Sequence, residues 1–292
     1  MSPSHTQETD RTARPLDAGA SLAPGYWVIT HLGRGGVADI YDAWSQERHC
    51  RCIAKIVRPD HADKPGARRR VLREGRRLRQ LAHPHLVRVY EVIEHPRPVV
   101  ILETLTGATL EYLIEHHHRR LDLSDVARLG LHLCSAIQYL HGRGLLHLDL
   151  KPSNIICTGG LAKVLDLDIA RPPGRSRGEG TRHYMAPEQV REDLLNTAAD
   201  VWGIGSVLFE AATGRLPFDF DSRLKYPQLE QRATSIRALR RVPASVAQAI
   251  DSALAPEPRQ RPTPHELYAL LAPLAEPNIT AHWPNGSVPR PM

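Results

Sequence analysis

No hydrophobic run in this sequence approaches the about 18 consecutive apolar residues that a membrane span needs. The N-terminal stretch MSPSHTQETDRTARPLDAG lacks the apolar core of a secretory signal peptide. Cysteine is scarce, and the spacing of the four cysteines fits neither a metal site nor a disulfide framework. These absences lead us to expect a soluble, cytoplasmic protein with reduced thiols and no membrane span.

Basic residues outnumber acidic ones and give a formal net charge of +6. They are concentrated in residues 68–80 (RRRVLREGRRLRQ), where arginines alternate with Leu and Val at helical spacing. This pattern is more typical of a solvated helix face than of a nucleic-acid surface. Binding of an anionic nucleotide would also be favoured by a net positive charge. We therefore expect no nucleic-acid partner.

The hydrophobic pattern changes once along the chain. From Tyr26 to about Thr104, short runs rich in Val, Ile and Tyr predict strands, and one helical segment interrupts them. From Leu110 onward, apolar residues recur at three- and four-residue spacing, which predicts helices. The sequence therefore predicts an α+β fold of two unequal lobes. The predicted parts are a disordered segment 1–24, a small β-rich lobe 25–104, a larger helical lobe 105–276 and a C-terminal tail 277–292.

A glycine-rich stretch, LGRGGVADIYDAW, contains Gly33, Gly35 and Gly36 between two strand-like runs. It predicts a hairpin, which argues against dinucleotide and Walker-type loops because both open a helix. Glycines let backbone N–H groups approach phosphate oxygens. A hairpin that binds no ligand is the alternative.

Lys55 lies in the middle of the apolar run IAKIV. An unpaired buried ammonium is costly, so this lysine needs a carboxylate, and Glu74 in the following helical segment is the candidate. The alternative is a surface lysine that buries only its aliphatic stem.

The stretch LLHLDLKPSNIIC places Asp149, Lys151 and Asn154 in a Pro-containing loop between apolar runs. A carboxylate can accept a proton from a hydroxyl, a lysine can neutralise a phosphate, and an amide oxygen can bind a hard cation. The spacing H-x-D-x-x-x-x-N matches a known catalytic pattern. The strand-like KVLDLDIAR follows and ends in Asp166 and Asp168, which could bind a metal or simply mark a polar strand exit.

With these blocks in order, residues from about 26 to 274 resemble the eukaryotic-like protein kinases, particularly the bacterial Ser/Thr branch. LGRGGVADIY resembles the nucleotide-covering loop, with Ala38 at the third glycine position. ILETLTG resembles the hinge, and GTRHYMAPE resembles the end of the activation segment. RQRPT resembles the late arginine block, which implies that Arg261 pairs with Glu188. The resemblance implies a two-lobed protein-kinase-like fold.

The roles implied by the resemblance follow the phosphoryl-transfer template. Lys55 would hold the α- and β-phosphates of ATP, and Glu74 would position Lys55. Asp149 would orient the substrate hydroxyl and accept its proton, while Lys151 would offset charge on the γ-phosphate. The implied ligands of Mg2+, or of Mn2+ in its place, are Asn154 and Asp166. The implied nucleotide contacts are Leu32, Gly33, Gly35, Gly36, Ile40, Ala54, Lys55, Leu102, Glu103, Leu105 and Ile156.

By this resemblance the chain would transfer the γ-phosphate of ATP to Ser or Thr hydroxyls of a protein substrate and would autophosphorylate. Lys151 and Thr181 favour Ser or Thr over Tyr as the acceptor. A dimer is left open. The alternative is a catalytically silent pseudokinase that acts as a nucleotide-binding scaffold. A small-molecule phosphotransferase is disfavoured by the MAPE block, which in protein kinases builds the platform for a peptide.

Two departures from the family pattern lead to expectations of their own. Leu148 stands where many relatives have an Arg that pairs with a phosphate on the activation segment. We therefore expect activity without such phosphorylation, for which Ser176 and Thr181 are the candidate hydroxyls. Asp168 replaces the glycine of D-F-G; it is expected to face solvent or cap the turn, and otherwise to alter metal binding.

Overall fold

The computed structural model describes residues 14–116, 120–220 and 223–275, and the chain divides into two compact units. The first unit contains Met1–Thr106 together with Asp166–Asp168, and the second contains Gly107–Leu165 and Ile169–Met292. The N-terminal region is rich in β-structure and the C-terminal region is helical, which confirms the predicted α+β class. The predicted tail 277–292 lies outside the described residues.

The first unit is built on a six-stranded sheet with strand order β1-β2-β3-β4-β6-β5, in which all neighbouring strands are antiparallel. Its strands are β1 Ser21–Ala23, β2 Tyr26–Arg34, β3 Ala38–Ser45, β4 Cys50–Val57, β5 Val89–Ile93 and β6 Val99–Leu102. Its one α-helix among the described residues is α1, Pro65–Arg79. Because side chains alternate along a strand, the sheet has two distinct faces.

One face of this sheet carries a hydrophobic core that includes Tyr41 and Ala54. Residues between Leu16 and Ala23 pack over this core. Leu16 packs against this core, and its backbone N–H donates to the Tyr41 hydroxyl at 2.9 Å. Leu22 and Ala23 of β1 are 4% and 6% exposed. The predicted disorder of segment 1–24 is therefore wrong for this strand, because its apolar side chains are buried. Residues 1–13 lie outside the described part of the chain.

Helix α1 packs against the sheet through strands β4, β5 and β6. Its buried residues are spaced to form one face: Ala67, Val71, Glu74, Gly75 and Leu78. Gly75 lets the helix come close, since a Cβ at this position would lie 2.5 Å from Cγ2 of Val100. The same close approach brings the neighbouring Glu74 down onto the sheet.

The second unit is mainly helical. Its helices are α2 Leu110–His116, α3 Leu123–His141, α4 Pro187–Val190, α5 Ala198–Thr213, α6 Ala244–Ala253 and α7 Pro264–Ala275. Its strands are β7 Ala108–Thr109, β8 Ile155–Thr158, β9 Leu161–Val164, β10 Gly174–Arg175 and β11 Leu194–Leu195. Helix α5 is buried along most of its length, and α3 packs against both α5 and α7. Among the described residues, no helix is both long and apolar enough to cross a membrane.

A buried ion pair joins Arg261 to Glu188 in the second unit, as the sequence predicted. Two guanidinium nitrogens of Arg261 donate to the two carboxylate oxygens at 2.6 and 2.8 Å. The guanidinium also donates to the carbonyl oxygens of Ala255 and Ala198 and lies 4.9 Å from the centre of the Trp202 ring. Because the remaining N–H groups of Arg261 donate to backbone carbonyls, the bidentate pair is fully satisfied and can be buried without leaving an unpaired charge.

Replacing Arg261 with Ala should lower the free energy of unfolding by about 3 kcal/mol or more, because Glu188 would be left as a buried, unpaired carboxylate. Arg259→Ala, at an exposed arginine two residues away, is the matched control and should leave stability nearly unchanged. Urea denaturation of both variants measures the difference. Equal midpoints for the two variants would contradict the assigned role of the pair.

Candidate active site

The glycine-rich stretch forms the hairpin between β2 and β3, which confirms that it does not open a helix. At its tip, the backbone N–H of Gly35 donates to the carbonyl of Ala38 at 2.8 Å. Arg34 donates to both carboxylate oxygens of Asp39, at 2.8 and 3.0 Å, and Asp39 is fully buried. The hairpin therefore carries an ion pair that braces the backbone bearing Gly33, Gly35 and Gly36.

Lys55 lies on β4 and pairs with Glu74 of helix α1, with 2.6 Å between Nζ and Oε2. The side chain is 14% exposed, so the alternative of a surface lysine with a solvated ammonium does not hold. Burial lowers the pKa of Lys55, but the charges of Glu74 and Asp166 outweigh it and raise the pKa above its ordinary value. Lys55 thus remains a cation, held in place by a carboxylate.

The faces of the sheet separate the predicted nucleotide contacts into two groups. Ile40 and Val100 pair directly with Lys55 in the register of the sheet and therefore share its face. Ala54 points to the opposite face, where it is fully buried in the hydrophobic core. Its assignment as a nucleotide contact is wrong for this reason. Ile53, which sequence reasoning missed, lies on the Lys55 face, and the two-residue alternation of a strand could have identified it.

The predicted hinge residues lie at the end of β6 and directly after it. Leu102 is the last residue of that strand and pairs with Ile53 and Val89. The backbone N–H of Glu103 donates to the carbonyl of Arg88 at 3.0 Å, and its carboxylate accepts from the Arg88 N–H at 2.8 Å. These bonds fix the backbone of Glu103 at the end of the strand.

Three further residues were predicted to contact the nucleotide, and they lie outside strands β3, β4 and β6. Leu32 on β2 is 55% exposed, and Leu105 beyond the hinge is partly buried. Ile156 belongs to the second unit, on β8, where it pairs with Thr109 and Lys163.

The stretch Asp166–Asp168 forms a turn in the first unit. Asp166 has a positive φ of 51°, and its Oδ1 accepts from the backbone N–H of Asp168 at 2.9 Å. The same oxygen lies 3.6 Å from Nζ of Lys55. The carboxylate that caps this turn is therefore Asp166, and not Asp168 as expected.

The side chain of Asp168 is bound by an arginine of helix α1. Nε of Arg70 donates to the two carboxylate oxygens of Asp168 at 2.5 and 2.6 Å, and Nη2 also contacts Oδ2. The Asp168 side chain is only 18% exposed. It therefore does not face solvent, and its charge is offset by a guanidinium.

The second unit brings Asp149, Lys151, Asn154 and Thr181 together. Thr181 donates to Oδ1 of Asp149 from its backbone N–H at 2.9 Å and from its hydroxyl at 2.7 Å. Nζ of Lys151 donates to the Thr181 hydroxyl at 2.8 Å and lies 3.0 Å from Oδ2 of Asp149. Nδ2 of Asn154 donates to the backbone and side-chain oxygens of Asp149 at 2.9 and 3.2 Å. Each polar side chain of this group is oriented by another member.

The backbone of this loop is held in an unusual conformation. Leu148 has φ of 70°, a left-handed value that costs energy for leucine. Asp200 of α5 accepts from the backbone N–H groups of His147 and Leu148 at 2.9 and 2.7 Å. Gln189 donates to the Leu148 carbonyl at 3.0 Å. These bonds fix the strained residue that directly precedes Asp149.

Both hydroxyls proposed as phosphorylation sites are engaged. The Ser176 hydroxyl donates to the Gln189 carbonyl at 2.9 Å and accepts from the Gly178 N–H at 3.1 Å, and Ser176 is 6% exposed. The Thr181 hydroxyl binds Asp149 and Lys151. Removing the Thr181 hydroxyl would break its hydrogen bonds to Asp149 and Lys151. A loss of activity in such a variant would therefore not by itself show that Thr181 must be phosphorylated.

The two residues proposed to bind a metal offer suitable atoms. Nδ2 of Asn154 donates to Asp149, which leaves Oδ1 to face a cation. The Asp166 side chain is 38% exposed. Among the described residues, no group of three or more His, Cys, Asp or Glu side chains could hold a metal ion. Carboxylate and amide oxygens are both of the ligand type that Mg2+ accepts, together with waters and substrate phosphates.

The first unit thus holds a lysine fixed by a helix glutamate and a glycine hairpin, and the second unit holds a loop with Asp149, Lys151 and Asn154 that bonds to Thr181. The chain matches the model of the protein kinase domain over residues 26–270, and it belongs to that family.

Bacterial serine/threonine-protein kinases are among the proteins similar to this chain. The chain is 30% identical over 246 residues to the probable serine/threonine-protein kinase PknB of Lactococcus lactis, across 81% of this chain and 39% of the relative. It is 32% identical over 214 residues to the serine/threonine-protein kinase PknB of Mycobacterium leprae, across 69% and 34% of the two chains. The chain thus spans little more than a third of the length of these relatives.

Thr181→Val should reduce kcat by about 100-fold, because Lys151 and Asp149 lose the hydroxyl that orients both of them. Thr181→Ser keeps that hydroxyl and should keep most of the activity. Steady-state kinetics with a generic protein substrate compares the two variants. A Val variant as active as the Ser variant would show that the hydroxyl has no orienting role.

Glu210→Gln should become more stable relative to the wild type as the pH rises from about 4 to about 8. Burial raises the pKa of Glu210, whose Oε2 accepts from the Tyr184 hydroxyl at 2.7 Å. Since the folded state favours the protonated acid, its contribution to stability is present below the unfolded pKa and is lost as the pH rises through the folded pKa. Gln does not titrate and can still accept from Tyr184.

Urea denaturation at several pH values measures this difference, with Glu230→Gln at an exposed site as the control. A stability difference that does not change with pH would mean that burial of Glu210 has no energetic consequence.

Proposed function

We propose that the chain is a protein kinase that uses ATP and Mg2+ to phosphorylate Ser or Thr hydroxyls of protein substrates. The observation that carries the proposal is the group formed by Asp149, Lys151, Asn154 and Thr181, whose members orient one another. The names of the bacterial relatives support Ser/Thr specificity. The same group also supports Ser/Thr specificity. Lys151 together with Thr181 favours Ser or Thr over Tyr as the acceptor, and Thr181 bonds to both Asp149 and Lys151.

In the proposed reaction, the substrate hydroxyl attacks the γ-phosphorus of ATP. The new P–O bond forms as the bond to the bridging oxygen of the β-phosphate breaks, and ADP leaves with that oxygen. Asp149 accepts the hydroxyl proton on a carboxylate oxygen, and Lys151 offsets negative charge on the transferred group. Lys55, held by Glu74, binds the α- and β-phosphates. Mg2+, bound through Asn154 and Asp166, would neutralise phosphate charge.

Most of the proposed nucleotide contacts lie on the Lys55 face of the sheet, in the glycine hairpin or at and after the end of β6, and Ile156 belongs to β8 of the second unit. Ile53 takes the place of Ala54. The full set is Leu32, Gly33, Gly35, Gly36, Ile40, Ile53, Lys55, Leu102, Glu103, Leu105 and Ile156. A peptide rather than a small-molecule acceptor is supported by the segment between Thr181 and Glu188, which Arg261 and Gln228 hold. Nε2 of Gln228 donates to the carbonyls of Arg182 and Met185, both at 3.2 Å.

We further propose that activity does not require phosphorylation of Ser176 or Thr181. Leu148 cannot pair with a phosphate, and the two hydroxyls already make hydrogen bonds that order the segment.

Asp149→Asn should lower phosphate incorporation by about 1000-fold, since the variant keeps the shape of the side chain but loses the proton acceptor. The purified chain is incubated with ATP and Mg2+, and phosphate on the chain and on a generic basic protein is measured by mass spectrometry. ATP affinity, measured in parallel by calorimetry, should be nearly unchanged in the variant.

Nucleotide binding without phosphate transfer in the wild type would support the scaffold alternative instead. Equal incorporation by the wild type and Asp149→Asn would reject the role of Asp149.

A further inference from the structure

Helix α1 presents two oppositely charged residues one turn apart on the same side, Arg70 and Glu74. Residues four apart on a helix lie on one face. Glu74 holds Lys55, and Arg70 holds Asp168. The helix therefore contributes one acidic and one basic side chain to ion pairs with two segments of the first unit, strand β4 and the turn 166–168.

These contacts form a closed ring. From Arg70 the ring passes to the carboxylate of Asp168, and from the backbone N–H of Asp168 to Oδ1 of Asp166 at 2.9 Å. The same Oδ1 lies 3.6 Å from Nζ of Lys55, which bonds to Glu74 and so returns to the helix. Movement of the helix would therefore disturb the turn that carries Asp166, and movement of the turn would disturb the helix.

The charges of this ring explain how an aspartate can stand at position 168. The ring contains two basic side chains, Lys55 and Arg70, and three acidic ones, Glu74, Asp166 and Asp168. Without Arg70, Asp168 would lose the guanidinium bonded to it, and its uncompensated charge would repel the phosphates of a nucleotide. The guanidinium bonds to both oxygens of Asp168 through Nε, a charge-assisted contact that also fixes orientation.

We propose that Arg70 is a positioning residue that binds Asp168 and thereby holds the turn bearing Asp166 to the face of α1 that carries Glu74. Both charges belong to the unmodified chain, so the contact forms without phosphorylation. This proposal rests on the proposed kinase function for its effect on catalysis. Its structural part concerns the nucleotide-free protein alone.

The test uses Arg70→Ala, Asp168→Asn and the double variant in the full chain. Hydrogen exchange of α1 amides, measured without nucleotide, should be faster in each single variant, and the double variant should resemble the singles. Exposed Arg69 on the same helix supplies the matched control, Arg69→Ala, whose exchange should equal that of the wild type. Unchanged exchange in Arg70→Ala would overturn the proposal.

The second measurement is steady-state kinetics of the same variants. Either single variant should lower kcat/KM for ATP by about tenfold, and the double variant should lose little more, because both changes remove one interaction. The exchanged pair Arg70→Asp with Asp168→Arg should recover part of the loss. Losses that multiply in the double variant, or an equal loss in Arg69→Ala, would overturn the proposal.

Hydrogen exchange and kinetics together distinguish the positioning role of Arg70 from the proposed kinase function. If the wild type transfers no phosphate at all, the proposed function fails, and hydrogen exchange still decides whether Arg70 holds Asp168. If the wild type is active and the exchange of α1 does not respond to Arg70→Ala, the positioning role fails and the kinase function stands. Should the exchanged pair not fold, the double-variant comparison carries the test.

Discussion

A single buried carboxylate, Asp200, determines the geometry of the loop on which the proposed catalysis depends. It is 1% exposed and accepts hydrogen bonds from the backbone of His147 and Leu148 and from the ring of His141. A buried carboxylate needs such donors, and backbone N–H groups supply them only if the loop turns toward α5. The left-handed backbone of Leu148 is the local cost of this arrangement. Its result is the orientation of Asp149 toward Thr181.

Much of this architecture could be predicted from the sequence, because simple physical requirements limit the alternatives. A lysine inside an apolar strand needs a carboxylate, and the next helix offers Glu74 at a position buried by its own periodicity. Spacing likewise identified the loop around Asp149, since few folds use that order of polar residues between apolar runs. Ala54 was misassigned even though strand alternation places it opposite to Lys55.

Other features could not be read from local pattern. Arg70 and Asp168 are 98 residues apart, and helix α1 carries seven arginines, three of them half-buried, so the sequence pattern alone does not select Arg70 as the partner of Asp168. The hydrogen bonds of Ser176 depend on the carbonyl of Gln189, a backbone atom that any residue would provide. The burial of β1 was missed because three residues carry too little periodicity to distinguish a strand from a loop.

Strand β1 also has a practical consequence. It pairs with β2 at the end of the sheet and covers backbone groups that would otherwise be open to another chain. A recombinant fragment trimmed to begin at Tyr26, the first residue of the family match, would lose this strand together with the Leu16 contact to Tyr41. Such a fragment would expose an apolar surface beside an unpaired strand edge. Self-association of that fragment in the test tube would then come from the trimming and not from the native protein.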